Sequence, residues 1–158
     1  MNDFYSPTFG KIKFKNIKDK ILKFIEDSPE EKYRLVIGTD SQPKNGKGTD
    51  FVTAIIIHRV GSGGIYFWRR SIDSSQMVLR NRIYKEAFMS LDTAQDFLSI
   101  SGNDGISKYD IEIHVDIGSY GKTKDMISEI VGMIRGSGFN VKTKPESYGA
   151  SKVADRHT

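Results

Sequence analysis

A mixed α/β fold is what this sequence predicts, and three observations carry the prediction. Three extended apolar runs, Tyr33 to Asp40, Phe51 to Arg59 and Ile65 to Arg70, follow one another with only turns between them. Two stretches of helical periodicity then alternate with two further extended runs. No repeat, low-complexity segment or linker divides the 158 residues, so residues 1–158 read as one domain. Hairpin-joined strands followed by helix-joined strands make a sheet of about five: three antiparallel strands, then two parallel strands, with helices on both faces.

Taken in order, residues 1–10 look irregular. Ile17, Ile21, Leu22 and Ile25 recur at helical spacing over about 15–27, an N-terminal amphipathic helix. Its polar side is rich in lysine (Lys15, Lys18, Lys20, Lys23), the composition of a solvated face. Tyr33-Arg34-Leu35-Val36-Ile37 enters a core as the first strand, and Pro43 to Gly48 leaves it as a turn. Phe51 to Arg59 is nearly continuous apolar and β-branched, as in a strand buried on both faces. Gly61-Ser62-Gly63-Gly64 opens into a strand and not into a helix, so it is a hairpin turn and not a dinucleotide loop.

A long helix is predicted over roughly Ser75 to Leu98, with Tyr84, Ala87, Phe88, Leu91, Ala94 and Leu98 along one face. Ser101 to Gly105 reads as a loop. Tyr109 to Ile117 alternates strictly: Ile111, Ile113, Val115 and Ile117 point one way, Glu112, His114 and Asp116 the other. Thr123 to Arg135 is a second amphipathic helix closed by Gly136-Ser137-Gly138. Phe139 to Lys144 is a short last strand, and Ser147 is placed to cap a final helix from about Tyr148.

Composition narrows the class. With 37% hydrophobic and 28% charged residues the chain reads as soluble and globular, and no run approaches a membrane span of ~18 apolar residues. There are no cysteines, which removes disulfides and thiolate zinc sites and suits a reducing cytoplasm. The first ten residues lack the pattern of a secretory signal. A net charge of +4 leans towards a polyanionic partner such as nucleic acid, though a lysine-rich surface accounts for it equally well.

The acids carry the chemistry. Asp40 ends the first strand, and Asp116 lies near the end of the fourth. If those strands are parallel neighbours, both carboxylates emerge at one edge of the sheet. Glu86 on the long helix and Asp155 on the last helix are the candidates to join them, with Asp92 or Asp96 as substitutes for Glu86. Carboxylates packed together repel unless a cation neutralises them, and an oxygen-only donor set selects Mg²⁺ or Mn²⁺. Two such ions suit phosphodiester chemistry.

Several stretches then carry a resemblance. Thr39-Asp40-Ser41 at a first strand end is similar to the opening motif of ribonuclease H, and the order of elements looks like that fold. Ile37-Gly38-Thr39-Asp40-Ser41-Gln42, His114-Val115-Asp116-Ile117-Gly118, Val131-Gly132-Met133, Lys144-Pro145 and Ala150-Ser151-Lys152-Val153-Ala154-Asp155-Arg156 resemble the YkuK family of ribonuclease H-like proteins. The resemblance implies a metal-dependent nuclease acting on RNA, DNA or their hybrid. Asp40 would bridge two ions, Asp116 would hold the ion that activates water, and Glu86 and Asp155 would complete one ion each. Ser41, Gln42, Lys122 and Lys152 are the expected substrate contacts. No counterpart of an RNA-gripping basic insertion is visible, which leaves the kind of nucleic acid open.

Other readings stand beside this one. The same fold could bind nucleic acid without turnover. Gly118-Ser119-Tyr120-Gly121-Lys122-Thr123 looks like the end of a P-loop, but the position that should hold its first glycine is Asp116. A carboxylate there repels a triphosphate, and too little chain follows for the further βα units of a nucleotidase. Lys122 and the helix amides could still hold a substrate phosphate, as could Arg69 and Arg70 or Arg80 and Arg82. His58 and His114 read as hydrogen-bonded structural residues, and His157 as an exposed histidine near the end of the sequence.

Overall fold

A computed structural model describes residues 3–100, 105–118, 121 and 123–158. The expected loop at 101–104 and the candidate substrate contact Lys122 lie outside the described residues. Seven strands form one sheet: β1 (Asp3–Ser6), β2 (Gly10–Lys13), β3 (Tyr33–Pro43), β4 (Thr49–Arg59), β5 (Gly64–Asp73), β6 (Ile111–His114) and β7 (Asn140–Lys142), in the spatial order β2-β1-β5-β4-β3-β6-β7. β3, β4 and β5 are antiparallel, and β6 and β7 add in parallel beside β3, as the order of elements required.

The count of about five strands and the irregular N-terminus are corrected by the hairpin β1–β2. Four-residue strands are too short to display an alternation, yet Phe4 and Ile12 lie opposite each other and are both buried. The hairpin joins the sheet through Tyr5 opposite Trp68.

Three helices, α1 (Phe14–Glu26), α2 (Leu79–Ser99) and α3 (Ile127–Gly136), bury their apolar residues in one cluster with Ile37, Ile55, Ile57 and Phe67 of the sheet. The opposite face of the sheet is covered by a π-helical segment, Gly149–Ala154, and a 3₁₀ turn, Asp155–His157. Both faces therefore carry helix, but unequally. Ser147 does not cap this segment through its side chain. Its buried hydroxyl has no hydrogen-bond partner, and it is the Ser147 carbonyl that accepts from the Ala150 and Ser151 amides.

The predicted stripe of α2 holds at Tyr84, Ala87, Leu91, Ala94 and Leu98, which pack in the helix-side core, and fails at Phe88; the buried face is also wider than predicted. Phe88 is half exposed, whereas Glu86, Ser90 and Thr93 are buried beside Ile83, Ala87, Leu91 and Ala94. The cause is a polar seam on the sheet. Thr39 shares hydrogen bonds with Thr53 and Ser90 (3.0 and 2.7 Å), so α2 turns small hydroxyl residues inward.

Candidate functional site

β3 does not end at Asp40; it pairs with β4 as far as Pro43. What ends is its other neighbour. β6 pairs with β3 only up to Gly38 opposite His114, after which the chain leaves β3 and bonds to Lys142 and Lys144. Asp40 and Asp116 each lie two residues past that last pair, where the parallel strands diverge. The alternation of 111–117 survives the divergence: Ile111, Ile113, Val115 and Ile117 all join the helix-side core.

The C-terminal segment reaches this edge because two glycines allow it. A Cβ on Gly38 would stand 2.6 Å from the Ala150 nitrogen, and one on Gly149 would stand 2.6 Å from Val36 Cγ1. Backbone therefore lies directly on backbone. The contact is reinforced by a polar network that sequence reasoning left unassembled. The Gly149 amide donates to His114 Nδ1 at 3.0 Å, His114 Nε2 lies 3.1 Å from Glu112, and Arg34 holds Glu112 through two nitrogens. Tyr148 packs edge-on against His114 and His58. Burial lowers the His114 pKa while Glu112 partly offsets it; burial alone would raise Glu112, but Arg34 and His114 hold it down to about 2. His58 and His114 are thus structural.

The carboxylates show their proximity in their proton affinities. Asp40 is 7% exposed, and burial, then the Asp155 carboxyl, then Asp116 push its pKa up to about 7. The Thr158 hydroxyl donates to Asp40 at 3.4 Å. Glu86 approaches from the other side of the sheet, on α2. Burial raises its pKa to about 8, Ser41 and Arg82 oppose the shift, and Asp40 and Asp116 add to it. The Ser41 hydroxyl donates to Glu86, and Arg82 donates to both oxygens of Ser41 at 3.1 and 3.2 Å. Ser41 is therefore buried beneath the site, whereas Gln42 and Lys152 are exposed beside it. Asp92 and Asp96 lie elsewhere on α2, lining a hollow beside β5.

Asp116 is partly exposed. Its Oδ1 makes no hydrogen bond, although the Lys144 ammonium stands 3.5 Å away. Asp116 Oδ1, without a hydrogen bond but paired with the Lys144 ammonium, and the buried carboxyls of Asp40 and Glu86 make an all-oxygen donor set of the kind a hard divalent cation takes. Among the described residues, no three acidic or histidine side chains already stand at the spacing that encloses a metal ion.

A hollow of about 920 Å³ is not at this edge. It lies along β5 beyond Trp68, where β1 no longer pairs with it. Asp40, Glu86, Asp116 and Asp155 are not among the residues that line it. His157 is also not the free residue expected from sequence. It stacks on Trp68 at 4.3 Å and lies 2.8 Å from the Tyr66 hydroxyl. No helix among the described residues is long and apolar enough to cross a membrane.

Comparison with known proteins agrees with this architecture. The family described as Ribonuclease H-like matches residues 16–158. The uncharacterized protein YkuK of Bacillus subtilis (strain 168) is 33% identical, over 98% of this chain and 96% of its own. No solved structure matches significantly.

Proposed function

The chain belongs to the ribonuclease H-like family as a YkuK-type protein, and from that premise we propose that it is a metal-dependent nuclease. Its reaction is hydrolysis of phosphodiester bonds in RNA, DNA or a hybrid, in the cytoplasm. What supports this reading is that Asp40 on β3 and Glu86 on α2 are buried where Asp116, after β6, and Asp155, in the C-terminal turn, add their charge: burial first, then Asp155 and Asp116 for Asp40, and Asp40 and Asp116 for Glu86, raise both proton affinities. These four would hold Mg²⁺ or Mn²⁺, and two bound ions would activate a water and neutralise the departing oxygen.

The other side chains have supporting tasks. Ser41 and Arg82 fix the Glu86 carboxylate, and the His114–Glu112–Arg34 network fixes the segment that presents Asp155. Lys144 beside Asp116, with exposed Lys152 and Gln42, offers positive and polar contacts to a phosphate backbone. The test is cleavage of labelled RNA, DNA and hybrid with Mg²⁺ or Mn²⁺, with Asp40→Asn alongside. Loss of cleavage in that variant is expected; cleavage that persists in it would remove the site from the reaction.

A second reading, a nucleic-acid-binding module without turnover, is favoured by the open spacing of the acids among the described residues. Tight binding with no cleavage under either metal would establish it instead.

A further inference from the structure

The sheet face that holds Asp40 continues well past the carboxylates. Register places Asp40, Val52 and Arg70 in one cross-strand row, and Gly38, Ala54, Trp68, Tyr5 and Lys11 in the next. Residues directly opposite each other share a face. The rows begin small, where the C-terminal segment lies on Gly38, Val52 and Ala54. Beyond β4 they turn aromatic and basic. Tyr5 is 43% exposed and lies 5.4 Å from Trp68, with Arg70, Lys11 and Lys13 exposed around them. No described helix packs over this outer part of the face.

We propose that this outer face binds single-stranded nucleic acid, with unpaired bases stacked on Tyr5 and on Trp68 in the place that His157 occupies in the free protein. The proposal rests on the reading of the protein as one that acts on nucleic acid, and it names the form of that substrate. Neighbouring strands are ~4.8 Å apart, so β1 lies ~14 Å from β3, a distance that a few nucleotides span. The C-terminal segment lies on Gly38, Val52 and Ala54 between the two, so a strand stacked on Tyr5 and Trp68 reaches Asp40 past the edge of that segment.

His157 shows that the indole accepts a flat polar heterocycle. Its ring lies 9° from the indole plane, its Nε2 meets the Tyr66 hydroxyl, and its carbonyl accepts from Arg70. A base taking that position would release Arg70 to a phosphate. The hollow beside β5 gives room for an adjoining base at its Tyr5, Trp68 and Arg70 side, whereas Asp3, Asp92 and Asp96, which also line it, turn a phosphate away from the rest.

Charge and shape both select a single strand. Lys11 already faces Asp3 at 3.4 Å, and Arg70 faces Asp50 at 3.5 Å. Phosphate attraction alone is therefore weak, and stacking must supply the rest. Stacking needs bases that are not paired, so a duplex gains little here.

The chain has one tryptophan, Trp68, which makes its fluorescence a direct reporter. The full chain in EDTA would be titrated with an oligothymidylate and with a duplex. Quenching of Trp68 by the single strand and not by the duplex is expected. Salt dependence should be shallow, with a log–log slope no steeper than about −2 for three cations. Tyr5→Ala should weaken binding roughly 5- to 150-fold, the worth of one stacked base, while Tyr5→Phe retains it. His157→Ala should tighten it by removing the competitor.

Equal binding of duplex, or a Tyr5→Ala variant that stays folded and binds undiminished, would overturn the proposal. So would self-association of the free protein abolished by Tyr5→Ala, which would assign the face to a second copy. Because EDTA prevents turnover, stacking without any later cleavage would sink the nuclease reading alone. Cleavage lost in Asp40→Asn with no quenching of Trp68 would sink this proposal alone.

Discussion

Over one face of the sheet lie α1, α2 and α3, and what they bury is large: Ile17, Ile21, Ile55, Ile57, Phe67, Phe97, Ile130 and Ile134. Over the other, among the described residues, lies the segment from Ser147 onward, and its buried core is Val36, Val52, Ala54, Ile56 and Ala154. The first face gains its stability from apolar area. The second gains close approach, because glycine and alanine let a backbone lie on the sheet and bring Asp155 to Asp40. The difference separates the work of folding from the work of the site. A change on the helical face should alter how much protein is folded, and a change on the other should alter what folded protein does.

The largest expected effect tests the site. Asp40→Asn should lower cleavage by about 10³-fold, several kcal/mol of lost charge stabilisation, while leaving the far-ultraviolet circular dichroism unchanged. The opposite case is Phe97→Ala, which empties a fully buried ring position. It should destabilise the chain by about 3–5 kcal/mol in urea titrations and yet leave the rate per folded molecule the same. Equal losses of rate per folded molecule in both variants would erase the distinction between the faces.

A subtler probe is Gly38→Ala. The added methyl meets the Ala150 backbone, so about 1–3 kcal/mol of stability should go, and cleavage should fall further than the unfolded fraction explains. If cleavage tracks the folded fraction, Asp155 is not held by this contact. Smaller still is the dependence of stability on pH. Asp40 and Glu86 keep protons in the folded chain that the unfolded chain releases near pH ~4. Their contribution is complete below that value and is lost as pH rises through about 7 and 8. Glu112 acts oppositely, contributing above its ordinary range and losing that contribution as pH falls towards about 2. In EDTA the melting temperature should therefore decline from pH 5 to 8. Mn²⁺ should flatten the decline, and so should Asp40→Asn without metal. A slope identical in all three samples would separate these carboxylates from any ion.

Much of the fold was legible because its signals are local. The β-branched run of β4, the glycine turn before β5 and the alternation of 111–117 each state their structure within ten residues. The hairpin β1–β2 was not legible, since Phe4 and Ile12 are recognisable as core only once they face each other across a turn. The stripe of α2 was legible except at Phe88, but its polar extension was not, for a related reason. Ser90 and Glu86 look like surface residues until Thr39 and Ser41 stand opposite them.

Sequence by itself determined the identity of the acids, the absence of thiolate ligands and the order of antiparallel and then parallel strands, within which the pairing of β3 with β6 was a condition that the structure met. Side-chain chemistry and connection length are properties of the chain, and they need no folded context to be read. Only tertiary structure decided that Glu86 is buried against Ser41 from the helical side of the sheet, that glycine at 38 and 149 admits the segment bearing Asp155, and that His157 lies flat on Trp68. Each of these depends on two elements distant in sequence arriving within a few ångströms, and such closeness is a property of packing that no single stretch encodes.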